Sequence, residues 1–148
     1  MRILVIDDEA GKRQQVVQHL RQVPDVLEVH EAMSFQSAIE ALKVGSFDCV
    51  VLDMRLTTYD VSPGDDGGRP RNFGGEEILR KMRRRRIETP VVVLTQYSIF
   101  REGVHVLSLE QLSMRLSSRY PFFIALTMFK HSDDSWKTEL TATLQRLK

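Results

Sequence analysis

The sequence predicts an α/β domain, a parallel sheet covered by helices on both faces, and three observations carry that expectation. Strand-like apolar runs alternate with segments of helical period five times along the 148 residues, which implies βαβ crossovers. The runs Ile3-Leu4-Val5-Ile6, Phe47 to Met54 and Val91-Val92-Val93-Leu94 are near-continuous rather than alternating, as in strands buried on both faces. Several of these strands end abruptly in a polar or charged residue, and the C-terminal ends of such strands meet at one ligand-binding edge.

Taken in order, Arg2 to Ile6 is the first strand and ends in Asp7-Asp8-Glu9. Gly11 to Val23 follows at helical spacing, with Val16, Val17, Leu20 and Val23 on one face and Pro24 as the stop. Val26 to Ala32 is a short strand. Ser34 caps a second helix whose stripe is Phe35, Ala38, Ala41 and Leu42, ended by Gly45. The third strand, Phe47 to Met54, carries Asp53 at its end. From Thr57 to Gly75 the chain holds five of its eight glycines and two prolines, and reads as one long flexible loop.

Glu76 and Glu77 open a third helix with Ile78, Leu79 and Met82 inward and Arg83 to Arg86 at its far end. Cations suit a helix C-terminus, and without interleaved aromatics this run is not read as a nucleic-acid surface. Pro90 to Thr95 is the fourth strand, and Tyr97 to Val104 reads as a short helix or a loop. Ser108 with Gln111 has the form of a capping box, so 105–119 is expected to hold an extra helical insertion bearing Leu109, Leu112 and Leu116. Pro121 to Phe129 is the last strand, followed by Lys130. A final helix starting around Ser132 to Asp134 presents Trp136, Leu140, Leu144 and Leu147.

Composition bounds the function. With 42% hydrophobic and 28% charged residues, residues 1–148 read as a single domain. A net charge of +1 gives no global attraction to nucleic acid or membrane. The single cysteine, Cys49, excludes an internal disulfide and a multi-cysteine metal site. No apolar run approaches the roughly 18 residues of a membrane span, and no signal-peptide pattern opens the chain. The expectation is a cytoplasmic protein. The histidines at 19, 30, 105 and 131 fall into no ligand spacing and read as structural or surface residues.

The strand ends gather Asp7, Asp8, Asp53, Thr95 and Lys130 at one edge. Adjacent carboxylates at a helix start also suit the helix dipole, the plainer reading of Asp7 and Asp8. Three carboxylates at one edge, however, repel one another unless a cation lies between them. A hard divalent ion, Mg²⁺ or Mn²⁺, prefers such oxygens. With it, Asp53 could attack phosphorus, while Lys130 and the Thr95 hydroxyl bind phosphoryl oxygens.

In these residues, Asp7-Asp8 on the first strand, Val51-Leu52-Asp53 on the third, Leu94-Thr95 on the fourth and Lys130 after the last, the chain resembles the receiver domain of two-component response regulators. Asp8 and Asp53 lie 45 positions apart, which fits that family. The resemblance implies a flavodoxin-like five-stranded parallel sheet of order 2-1-3-4-5. It also implies that Asp53 accepts a phosphoryl group from a histidine kinase or phosphotransfer protein. Asp7, Asp8, Asp53 and the backbone carbonyl of Arg55 would bind Mg²⁺, and Thr95 and Lys130 would bind the phosphoryl group. Output would run through a downstream protein partner, with homodimerisation open, no membrane, no nucleic acid, and no enzymatic role beyond self-catalysed phosphoryl acceptance and autodephosphorylation.

Three departures from the family pattern stand out. The 57–75 loop is long. The stretch from Thr95 to Lys130 spans 35 positions. The switch aromatic expected three residues before Lys130 is Thr127, with Phe129 adjacent, and Gln96 replaces a small residue after Thr95. The alternative function is therefore a degenerate pseudo-receiver acting as a constitutive interaction module. A phosphohydrolase using Asp53 would need a second acid–base carboxylate two residues on, where this chain has Arg55.

Overall fold

Successive strand residues face opposite sides of a sheet, and the computed structural model, which describes residues 1–58 and 73–147, is built on that alternation. Strands β1 (Arg2–Ile6), β2 (Glu28–Ala32), β3 (Cys49–Leu52) and β4 (Val91–Thr95) alternate with helices α1 (Ala10–Arg21), α2 (Phe35–Val44) and α3 (Gly74–Arg84). A hairpin, β5 (Ile99–Glu102) and β6 (His105–Ser108), precedes α4 (Leu109–Arg119), β7 (Phe123–Met128) and α5 (Ser135–Gln145). The main sheet is five-stranded and parallel, in the order β2-β1-β3-β4-β7. Counting only its own strands, that is the predicted order 2-1-3-4-5.

The alternation divides the core in two. Leu4, Ile6, Val50, Leu52, Val91 and Val93 pack with buried residues of α2, α3 and α4. Ile3, Val5, Cys49, Val51, Val92 and Leu94 pack on the other face with Val16, Val17 and Leu20 of α1 and with Trp136, Leu140 and Leu144 of α5. Each such side chain contributes about 1.5–3 kcal/mol on burial. Ser34 caps α2 and Ser108 caps α4, each in a reciprocal capping box. No described helix is long and apolar enough to cross a membrane.

The segment between β4 and β7 corrects the sequence expectation. Tyr97 to Val104 is neither a short helix nor a plain loop, because Ile99 to Glu102 pairs antiparallel with His105 to Ser108. Gly103, with φ +60°, leads the two-residue turn, as a tight hairpin requires. Residues 105–119 are thus a hairpin strand followed by α4. That helix is the crossover from β4 to β7 rather than an extra one, and the hairpin is the added element.

At the 57–75 loop, Gly74 and Gly75 belong to α3, and the flexibility expected of 59–72 falls outside the described residues. Gly75 has a packing reason: a Cβ there would lie 2.5 Å from the Asp53 carbonyl oxygen and 2.8 Å from the Met54 Cα. The close approach lets the Gly75 N–H donate to the Met54 carbonyl at 2.8 Å. Helix α3 therefore begins directly against the end of β3.

Candidate metal centre

Asp7 and Asp53 follow strands whose alternation turns them, like Val5 and Val51, toward the α1 and α5 face. Both are buried, at 3% and 4% exposure, while Asp8 is half-buried. Oxygens of Asp7, Asp8 and Asp53 lie within 4.8 Å of one another. Local bonds hold them there. The Glu9 N–H donates to Asp7 Oδ1 at 3.0 Å, and the Thr57 N–H donates to Asp8 Oδ2 at 3.1 Å.

The ammonium in this cluster comes from Lys12, near the start of α1. Its side chain is wholly buried. Its Nζ lies 2.8 Å from Asp7 Oδ2 and 3.3 Å from Asp53 Oδ1, and donates to the Leu94 carbonyl at 2.6 Å. One lysine thus ties together the ends of β1, β3 and β4. The aromatic ring of Phe129 sits 5.8 Å from the same nitrogen and packs on Trp136 at 5.0 Å. A sequence signal for this exists: Lys12, Val16 and Leu20 recur at i, i+4 and i+8, the spacing of one helix face.

Lys130 is not brought to the carboxylates. It is exposed beyond β7, near Asp133. The reason is the preceding residue: the Phe129 N–H donates to the Thr95 carbonyl at 2.7 Å and its ring fills the core, so the chain turns Lys130 outward. Position 127 is a buried threonine, and the aromatic of this segment is Phe129, packed inward toward α1 and α5.

Burial, reinforced by the charges of Asp7 and Asp8 and opposed by Lys12, pushes the Asp53 carboxyl up to about 7. Burial likewise raises Asp7, against the pull of Lys12. Asp8 is raised by burial and by Asp7. Lys12 goes up despite its burial, because Asp53 and Asp7 favour its charged form. Asp53 Oδ1 is buried and accepts no aligned hydrogen bond from the described residues. Among the described residues, three carboxylates against one ammonium leave two negative charges uncompensated when all are ionised, and hard oxygen donors so arranged fit Mg²⁺ or Mn²⁺.

Beside the carboxylates lies a cleft of about 320 Å³ lined by Asp8, Glu9, Asp53, Arg55, Thr57, Gln96 and Tyr97. The Arg55 guanidinium stacks over the Tyr97 ring at 5.4 Å. Thr95 is buried at the end of β4, and its hydroxyl accepts from the Tyr97 N–H at 3.2 Å. Gln96 donates from Nε2 to Glu9 Oε2, bridging the β4 and β1 ends across the rim. Glu9 Oε1 also bonds His131 Nε2 at 3.1 Å, and Gln15 meets His131 Nδ1 at 3.0 Å. His131 therefore straps the last loop to the first.

A second charged cluster lies between α3 and α4. Glu76, fully buried, takes Arg115, Arg119 at 3.0 Å and the Tyr120 hydroxyl at 3.0 Å. Arg115 also holds Glu102 of the hairpin at 2.9 Å. Burial alone would raise the Glu76 carboxyl, but the bonds from Arg115 and Tyr120 outweigh it and hold it below the usual range.

Comparison with known proteins agrees with this architecture. The model of the response regulator receiver domain matches residues 3–112. The Detocs response regulatory protein DtcB of Enterobacter cloacae is 27% identical, over 99% of this chain and 100% of its own length. Among solved structures, the receiver domain of the Francisella response regulator 1452 superposes with a TM-score of 0.64 at 17% identity, covering 99% of this chain and 98% of that one. The response regulator TrrA of Thermotoga maritima, in complex with Mg²⁺–BeF, gives 0.61 at 20% identity, with 99% and 98% covered.

Proposed function

The chain belongs to the response regulator receiver domain family, and on that premise we propose that Asp53 accepts a phosphoryl group from a phosphohistidine donor with the help of Mg²⁺ or Mn²⁺. The observation that carries this reading is the cluster of Asp7, Asp8 and Asp53 beside an open cleft. These three would hold the cation, with the Arg55 backbone carbonyl as a neutral fourth donor. When bound, the cation cancels carboxylate charge and draws charge from the phosphoryl oxygens.

In the transfer, an Asp53 oxygen attacks phosphorus as the P–N bond of the donor breaks, and the bonding pair leaves with the imidazole nitrogen. Thr95 accepts from Tyr97 yet keeps its own hydroxyl proton, which it would donate to a phosphoryl oxygen. The donor would be a histidine kinase or phosphotransfer protein, and output would pass through protein contacts from a cytoplasmic chain.

Beryllofluoride with Mg²⁺ tests the reading. The wild type should form an adduct seen by ¹⁹F NMR, and Asp53→Asn should form none. A second reading, the pseudo-receiver, draws on the same site: Lys12 already pairs with Asp7 and Asp53, and Gln96 spans the rim to Glu9. A wild type as inert as Asp53→Asn would decide for it.

A further inference from the structure

Resting on the phosphoryl-acceptor reading, we propose that Lys12 is the positioning cation of this site, holding Asp53 through Oδ1 from α1, and that Lys130 takes no part in phosphoryl uptake. Three observations support it. Lys12 donates to the Leu94 carbonyl and pairs by charge with Asp7 Oδ2 at 2.8 Å and with Asp53 Oδ1 at 3.3 Å. A wholly buried lysine is costly unless so paired, which gives the side chain a reason to be there and no surface role.

Direction is the second. Lys12 does not line the cleft that Asp8, Asp53 and Thr57 share. It reaches Asp53 from the α1 face, leaving the cleft side for the metal ion and the incoming phosphorus. With Oδ1 held from behind, Oδ2 is the oxygen free to attack. Charge is the third. Lys12 and one divalent cation together cancel the three carboxylates, so a phosphoryl donor approaches a site with no net repulsion. Lys130 is exposed, lies beside Asp133 and forms no ion pair with Asp7, Asp8 or Asp53.

The test uses the whole chain as wild type, Lys12→Met, Lys130→Ala and Asp53→Asn. Two probes are applied: Mg²⁺ alone, by calorimetric titration, and acetyl phosphate with Mg²⁺, by phosphate-affinity electrophoresis. Lys130→Ala should match the wild type in both. Lys12→Met should bind Mg²⁺ about tenfold more tightly, because a competing positive charge is gone, yet take up phosphoryl far more slowly. Damage to the fold would weaken both together, so the opposite signs identify the role. Should Lys12→Met fail to fold, Lys12→Gln removes the charge while keeping a donor for Leu94, and the same two measurements apply. Uptake that survives loss of the Lys12 charge, unchanged Mg²⁺ affinity, or uptake lost in Lys130→Ala would overturn the inference alone. A wild type without Asp53-dependent uptake would overturn the phosphoryl-acceptor reading and this inference with it.

Discussion

At the C-terminal edge of the sheet, Asp7, Asp8 and Asp53 share one ammonium, that of Lys12. Between α3 and α4, Glu76 is met by Arg115 and Arg119, with Tyr120 adding a hydroxyl and Glu102 drawing on Arg115 from the hairpin. Both clusters bury carboxylates, and they are balanced in opposite ways. Among the described residues the first is short of positive charge and opens on a cleft, so it can take a cation from solvent. The second has its positive charge supplied in full by the protein and has no such need. Buried carboxylates become a binding site only where the fold leaves their charge unmet; where it meets the charge, they become a fastener.

The largest expected effect comes from breaking the fastener. Glu76→Gln removes the buried carboxylate that Arg115 and Arg119 share, leaving Arg115 with the exposed Glu102, and should cost about 3 kcal/mol, as losing one member of a buried ion pair does. Thermal unfolding should then fall by about 6–12 °C, while calorimetric Mg²⁺ affinity stays at the wild-type value. The pH dependence follows in sign. Because the folded Glu76 carboxyl is held below 4.5, its stabilisation is complete above that value and is lost as pH falls through the folded one. The gap in denaturation midpoint between wild type and Glu76→Gln should therefore close on acidification.

Filling the other cluster gives the next effect. Mg²⁺ at a hundredfold excess over its Kd should stabilise the wild type by about 2.7 kcal/mol. Calorimetric melting should show this shift in Glu76→Gln as well, and show none in Asp53→Asn. Gly75→Ala should cost about 1–3 kcal/mol in chemical denaturation, because the added methyl meets the backbone of Asp53 and Met54. The smallest response belongs to Cys49, buried and with its thiol pushed up to about 12 by that burial. A thiol reagent should leave it unmodified in the folded protein and label it fully in denaturant.

The carboxylates were legible in the sequence because their positions are local facts: each follows an apolar strand, and the ends of parallel strands converge. Lys12 was harder to read. Its spacing with Val16 and Leu20 marked the buried face, but a charge on such a face argues for solvent until a partner is known, and its partners lie on three other strands. Lys130 misled for the converse reason. Its place after the last strand was right, but Phe129 took the inward position through its packing on Trp136. The hairpin could have been recognised from Gly103 between two β-prone segments. Glu76 reads in the sequence simply as the opening of a helix, and the approach of α4 makes it an ion-pair centre.

Where the cation is tethered has a mechanical meaning. A lysine on a loop could swing with its loop, whereas Lys12 is rooted near the first turn of α1, with the Phe129 ring beside its ammonium and Trp136 behind that ring. Its ammonium cannot travel far without carrying helix and rings along. The Asp53 carboxylate is therefore coupled to the α1 and α5 side of the sheet through Lys12, while Glu76 clamps the hairpin and α4 on the other.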